Sequence, residues 1–312
     1  MTQWDWQDFS DTMFKRLYWA GYQGRFASLR WPTRSEQTEL FPWIGYITYN
    51  RSEHIAFESG AGAAAYLNNL RNRYTNYTIS ACSHSMGGIV MMEALKELAA
   101  SNQAPLDNYV MMQAAVPAQC YDTNAPSYQI FLNGEAVAPT PDTYRNYAAG
   151  ITNALRSGGK IVNFFNTNDF ALATWIVNQA FYNANIFGYG TTTIKPNSFL
   201  GYSSDGTASV LQTNAWNQSP WSILYGGYYT NQTPRTITNP YELMPFVARP
   251  RSLPAGSSSG VHGQIQGGEL NLSQLGFTGV SSDHSGEFNR NIQNPAIWPF
   301  YFQLKTNLFP RP

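Results

Sequence analysis

A serine hydroxyl attacks a carbonyl carbon efficiently only when an imidazole takes its proton and a carboxylate holds that imidazole in one tautomer. The residues of first interest are therefore serines on tight turns, histidines, and carboxylates that follow strands. Ser83-His84-Ser85-Met86-Gly87-Gly88 lies between a β-branched, apolar run, YTISACS at 77–83, and a helical run from Gly87 to about Ala100. Ile89, Met92, Leu95 and Ala99 share one face of that helix. A nucleophilic serine on such a turn is held in a strained conformation, so the side chains two before and two after it must be small. Gly87 meets the second condition and Ser83 the first. The helix behind Ser85 would aim its N-terminal amides at the reacting atom, and the Met86 N–H would serve as an oxyanion donor.

Four histidines compete for the role of base. His84 adjoins Ser85 and cannot present its ring to that hydroxyl, so it is assigned to packing. His54 precedes a helical run, His262 lies in the Gly-rich stretch VHGQ, and His284 lies in the polar loop Asp283-His284-Ser285-Gly286. Asp169 is the leading acid candidate: it follows the strand-like KIVNFFN through the turn Asn166-Thr167-Asn168-Asp169. Asp122 follows the preceding strand, and Asp283 is too close to His284 in sequence to reach its ring easily. An aspartate in a turn can also simply bond its own backbone.

The segment 83–88 in its strand–turn–helix setting resembles the α/β-hydrolase superfamily, in particular its esterases and lipases with G-H-S-M-G-G at this turn. Ser83 departs from the usual first glycine. The resemblance implies the chain order Ser, Asp, His, which selects Ser85, Asp169 and His284 as the catalytic set, with Met86 in the oxyanion hole and no cofactor. It also implies carboxylic ester hydrolysis through an acyl-enzyme, on a small-molecule or lipid-like substrate. The same triad could act on amide, thioester or peptide bonds, and a catalytically inactive binding module is the reading from another class. In the family a loop that often begins His-Gly supplies the second oxyanion donor. No such loop precedes the helical run FSDTMFKRLYWA at 9–20. Either the chain is a fragment of a longer protein, or Trp4 and its neighbours form a substitute.

The elements that would position these residues read as βαβ units. Helices are expected at 9–20, 60–74 and 87–100, and strands at 25–31, 77–83, 108–116 and 160–166. The expected fold is a three-layer α/β/α arrangement with a mostly parallel sheet (the α/β-hydrolase fold) and an incomplete N-terminal edge. Residues 1–312 form a single domain in this reading, with 181–260 a cap-like or elaborate loop insertion. The aromatics of 175–230 would either line a cleft or pack the core. LPAGSSSG at 253–260 reads as a flexible connector, and IWPFYFQL at 297–304 as a final helix or strand that periodicity does not separate.

Composition limits the alternatives. Nineteen basic and nineteen acidic residues give no net charge, so no basic face for nucleic acid is expected. No zinc-ligand spacing and no phosphate-loop motif occurs, and no metal is expected. Glu93, Lys96 and Glu97 read as a solvated helix face. No apolar run of about 18 residues is present, and the N-terminal residues lack the pattern of a signal peptide. The charged fraction of 12%, made up by Asn, Gln, Ser, Thr and aromatics, leans towards a secreted or cell-surface protein. Cys82 and Cys120 read as small buried residues rather than a bridge.

Overall fold

The computed structural model describes residues 3–32, 44–116, 150–169, 268–278, 284–288 and 294–310, together with 121, 130–132, 135–137, 172, 199–202, 209–211 and 255–257. The elements that carry the fold run in the order α1 (Gln3–Trp19), α2 (Ile44–Arg73), β1 (Ser80–His84), α3 (Gly87–Ala100), β2 (Leu106–Met112), β3 (Ile130–Leu132), β4 (Glu135–Val137), β5 (Leu155–Phe165), β6 (Phe199–Tyr202), β7 (Ser209–Leu211), β8 (Glu269–Asn271), α4 (Leu272–Leu275) and α5 (Ile297–Leu308). The main sheet has the order β1-β2-β5-β8 and every pairing in it is parallel. The pairs β3–β4 and β6–β7 form separate antiparallel hairpin sheets.

A parallel strand is covered on both faces, so its residues are apolar on both while still alternating in direction. β2 follows this rule. Tyr109 and Met111 enter the core shared with α2 and α3, whereas Val110 and Met112 enter the core shared with α1 and α5. Ile161 against Val162 and Phe164 divides β5 in the same way. The result is the expected α/β/α sandwich. Sheet edge β1 has no strand on its outer side among the described residues.

Helix α5 resolves the ambiguous aromatic segment. Ile297, Phe300, Tyr301, Leu304 and Leu308 are its buried residues, a spacing of three, one, three and four that only a helix turns to one side. Phe300 packs edge-on against Phe164 and Phe277. The small residues early in the second predicted helix also find their reason. A Cβ on Gly60 would lie 2.3 Å from that of Glu93, so α2 and α3 touch closely there.

Three expectations are corrected. Residues 25–31 form no strand; Pro32 stops a ladder, and the aromatics of this stretch instead divide between the two cores, Phe26 at 5.5 Å from Phe14 of α1 and Trp31 against the core of α2 and α3. Within the run 253–260, the described residues 255–257 are not a flexible connector. Ala255 is fully buried, and its N–H and that of Gly256 donate to the carbonyls of Val116 and Ala114, so backbone bonds and small size seat this stretch against the end of β2. Glu93 is not a solvated residue either: it is 6% exposed and pairs with Lys96, because its position on α3 faces α2.

Candidate active site

Parallel strands end together. The register aligns His84 with Met112, Met112 with Phe164 and Phe164 with Leu270, so the segments leaving β1, β2 and β5 emerge side by side at the carboxyl edge of the sheet. Crevices at that edge are where open α/β sheets place their ligands.

Ser85 leaves β1 with φ of 52°, a left-handed conformation that is strained for a residue with a side chain. The turn is held by three backbone bonds. Ser85 N–H donates to the Met112 carbonyl at 3.0 Å, and the Ser85 carbonyl accepts from Gly88 at 2.9 Å and Ala115 at 3.0 Å. Its tightest glycine is Gly88, whose added Cβ would meet that of Ala114 at 2.8 Å, whereas one on Gly87 would stand 3.6 Å from Ser83. Ser83, in place of the usual glycine, is absorbed by a 2.5 Å hydrogen bond to the Tyr109 hydroxyl. Helix α3 starts immediately behind Ser85, and no side chain caps it. Met86 N–H makes no backbone bond among the described residues.

Asp169 is 1% exposed and sits in a turn built by its neighbours. Asn168 N–H donates to the Asn166 side chain, and Asn166 Nδ2 anchors the turn to the Phe277 carbonyl. The Asp169 carboxylate accepts from Leu172 N–H at 2.9 Å and from Gln113 Nε2 at 2.6 Å.

His284 completes the arrangement. Its Nδ1–H donates to Asp169 Oδ2 at 2.7 Å, and its Nε2 stands 3.0 Å from Ser85 Oγ as acceptor. The tautomer follows from the network, since a buried carboxylate can only accept. Three residues separated by 84 and 115 positions are thus joined in one hydrogen-bonded chain. Such a chain can withdraw a proton from Ser85 Oγ and stabilise the resulting imidazolium.

Among the competitors, His54 lies in α2, and Asp122, His262 and Asp283 lie outside the described residues, as does Cys120. Trp4 is in α1 with its side chain not described, and of the 175–230 aromatics only the strands β6 and β7 are described, without side chains. Cys82 is a free thiol whose burial pushes its pKa up to about 12. Among the described residues no group of three or more His, Cys, Asp or Glu is placed to hold a metal ion, and no helix is long and apolar enough to cross a membrane.

Sequence reasoning missed Gln113. It is fully buried, has φ of 45°, and donates to the carboxylate oxygen that also accepts from His284. Gly256 backs it so closely that a Cβ there would lie 2.1 Å from the Gln113 carbonyl carbon. The signal was an amide within the apolar run YVMMQAAV, since a buried amide must be bonded to something specific. His84 was assigned to packing, but its Nε2–H donates to the His284 carbonyl at 2.6 Å.

Beside β1 opens a cavity of about 1360 Å³, with Ser85 and Met86 on its wall and Phe26, Trp31, Tyr66 and Met91 among its lining. In the comparisons, residues 13–132 match a family model described as an alpha/beta hydrolase of unknown function (DUF900). The matched span runs from α1 past β2 and includes Ser85, but neither Asp169 nor His284. No curated protein and no solved structure matches the chain.

Proposed function

We propose that this chain, whose residues 13–132 match an alpha/beta-hydrolase family model, is a serine hydrolase that cleaves carboxylic esters through an acyl-enzyme. The observation that carries the reading is the continuous hydrogen-bonded chain from Ser85 Oγ through His284 to Asp169. In the first half-reaction Ser85 Oγ attacks the ester carbonyl carbon as its proton passes to His284 Nε2. The tetrahedral oxyanion is met by the Met86 amide at the start of α3, and collapse expels the alcohol, which takes the proton from His284. In the second half-reaction water gives a proton to His284 and attacks the acyl carbon. Ser85 then leaves with that proton, and the carboxylic acid is released. Asp169 stays ionised throughout and holds the imidazolium.

The cavity beside Ser85 is lined mostly by apolar and aromatic side chains, with Arg25, Arg30 and Lys305 also among its lining, and its apolar part suits an ester with an apolar or lipid-like acyl group. The test is hydrolysis of aryl esters of graded acyl length, alongside matched amide and thioester substrates. Ester turnover that falls by about 10⁴-fold or more in Ser85→Ala, with folding retained, agrees with the proposal. Equal activity in the variant refutes it, and preference for the amide or thioester redirects it.

A further inference from the structure

Two side chains behind the triad, one largely and one fully buried, take no part in the chemistry above. His84 ends β1, immediately before Ser85, so the sheet fixes its backbone. Its Nε2 donates to the carbonyl of His284 at 2.6 Å, its ring lies 4.8 Å from the His284 ring, and it meets Phe288 edge-on at 4.9 Å. A carbonyl only accepts, so the Nε2 proton of His84 is required. His84 thereby joins the strand that carries Ser85 to the loop that carries His284, without touching the hydroxyl.

Glu287 is the second side chain. It is fully buried, its Oε1 is 3.6 Å from the same His84 Nε2, and neither carboxyl oxygen has a hydrogen-bond partner among the described residues. The charged and titratable groups around it are Arg16 of α1, Tyr301 of α5, Asp169 of the turn after β5, and His84 of β1. Arg16 and Tyr301 donate to the Glu287 backbone carbonyl rather than to its carboxyl group.

We propose that His84 is a positioning residue: its Nε2–H holds the His284 loop at hydrogen-bonding distance from Ser85, and ionised Glu287 would compete for that same proton. The inference rests on the serine-hydrolase reading of Ser85, His284 and Asp169. The competition follows from chemistry. A carboxylate is a stronger acceptor than a carbonyl, whereas a protonated carboxyl beside a carbonyl that already accepts this proton is a weak rival. Burial, with the nearby Asp169 charge adding to it, holds the Glu287 carboxyl protonated up to about pH 8. Burial and the neighbouring His284 hold His84 neutral, with its pKa lowered to about 3. The positioning bond is therefore intact at neutral pH and is drawn towards Glu287 as pH rises through about 8.

The test measures the rate at which a fluorophosphonate labels Ser85 between pH 6 and pH 10, in the wild type, His84→Gln, His84→Asn and Glu287→Gln. Glutamine places an N–H near the position of Nε2; asparagine is too short to do so and is equally polar, which controls for folding. A small displacement of a reacting group can cost about 10²-fold. His84→Asn should therefore label about 10–100-fold more slowly with little change in probe saturation, and His84→Gln should recover most of that loss. Glu287→Gln should lack the fall in rate above about pH 8. Asn and Gln variants that both label at the wild-type rate, or that are equally impaired, overturn the inference alone. A folded wild type that takes no label overturns the hydrolase reading and this inference with it.

Discussion

At the scale of single residues, the site depends on one shared acceptor. Asp169 Oδ2 takes hydrogen bonds from both His284 and Gln113, so the carboxylate is aimed by an amide whose own backbone is strained at φ of 45°. Gln113→Leu should keep the volume but remove the donor. Loss of a bond to a charged, buried group costs about 1.5–3 kcal/mol, and turnover should fall about 10–100-fold while KM moves little. Steady-state kinetics on a short aryl ester would show this, and an unchanged kcat would exclude an aiming role. Glu287 gives the residue-scale prediction for stability. Its carboxyl is pushed from an ordinary value near 4.5 up to about 8 in the folded protein. A proton held more tightly in the folded state means that its share of stability is full below about pH 4.5. That share declines as pH rises to about 8, and is constant above. The loss is on the order of 3 kcal/mol at pH 7. Glu287→Gln should flatten the denaturation midpoint across that window. A midpoint that falls from pH 5 to pH 8 as steeply as in the wild type would mean that Glu287 is not the source.

At the scale of elements, close contacts rather than propensity decide where the site residues stand. The 255–257 turn presses on Gln113, and a Cβ at Gly256 would collide with backbone, which cannot move aside as a side chain can. Gly256→Ala should destabilise by about 1–3 kcal/mol. It should lower labelling of Ser85 as well, since Gln113 must shift. Thermal melts and labelling read together would expose a variant that loses stability without losing reactivity, which would contradict the link. On the other face of the sheet, Phe300→Ala in α5 should cost about 3–5 kcal/mol, because that ring meets Phe164 and Phe277 and is wholly buried. What the sequence revealed at this scale was the strand–turn–helix around Ser85, since a β-branched run, small residues and an amphipathic helix each have a distinct pattern. It could not reveal the 255–257 turn: Ala-Gly-Ser is seated by its lack of side chain, and small polar residues carry the same signature in a connector. The aromatics of 297–304 were ambiguous because a helix buried along one side and a strand buried on both faces are equally apolar over eight residues.

At the scale of the whole molecule, the sheet brings Ser85, Gln113 and Asp169 to one edge because β1, β2 and β5 run parallel and in register. Chain order then lets His284 reach them from beyond β8. This convergence was legible as an expectation for Ser85, Asp169 and His284, since the order of a nucleophile, an acid and a base along the chain survives insertions between them. The support behind them was not legible. Gln113, His84 and Glu287 act through contacts 56 to 203 residues distant, visible only once the strands are paired, and an acidic residue in SGEFN reads as solvated until its burial is known. The central claim is that Ser85 is an activated nucleophile, and the most direct measurement is intact-mass labelling with a fluorophosphonate followed by peptide mapping. The account predicts one adduct per chain, on Ser85, lost in Ser85→Ala and slowed by about 10⁴-fold in Asp169→Asn. A folded protein that takes no adduct, or carries it on another residue, would contradict it.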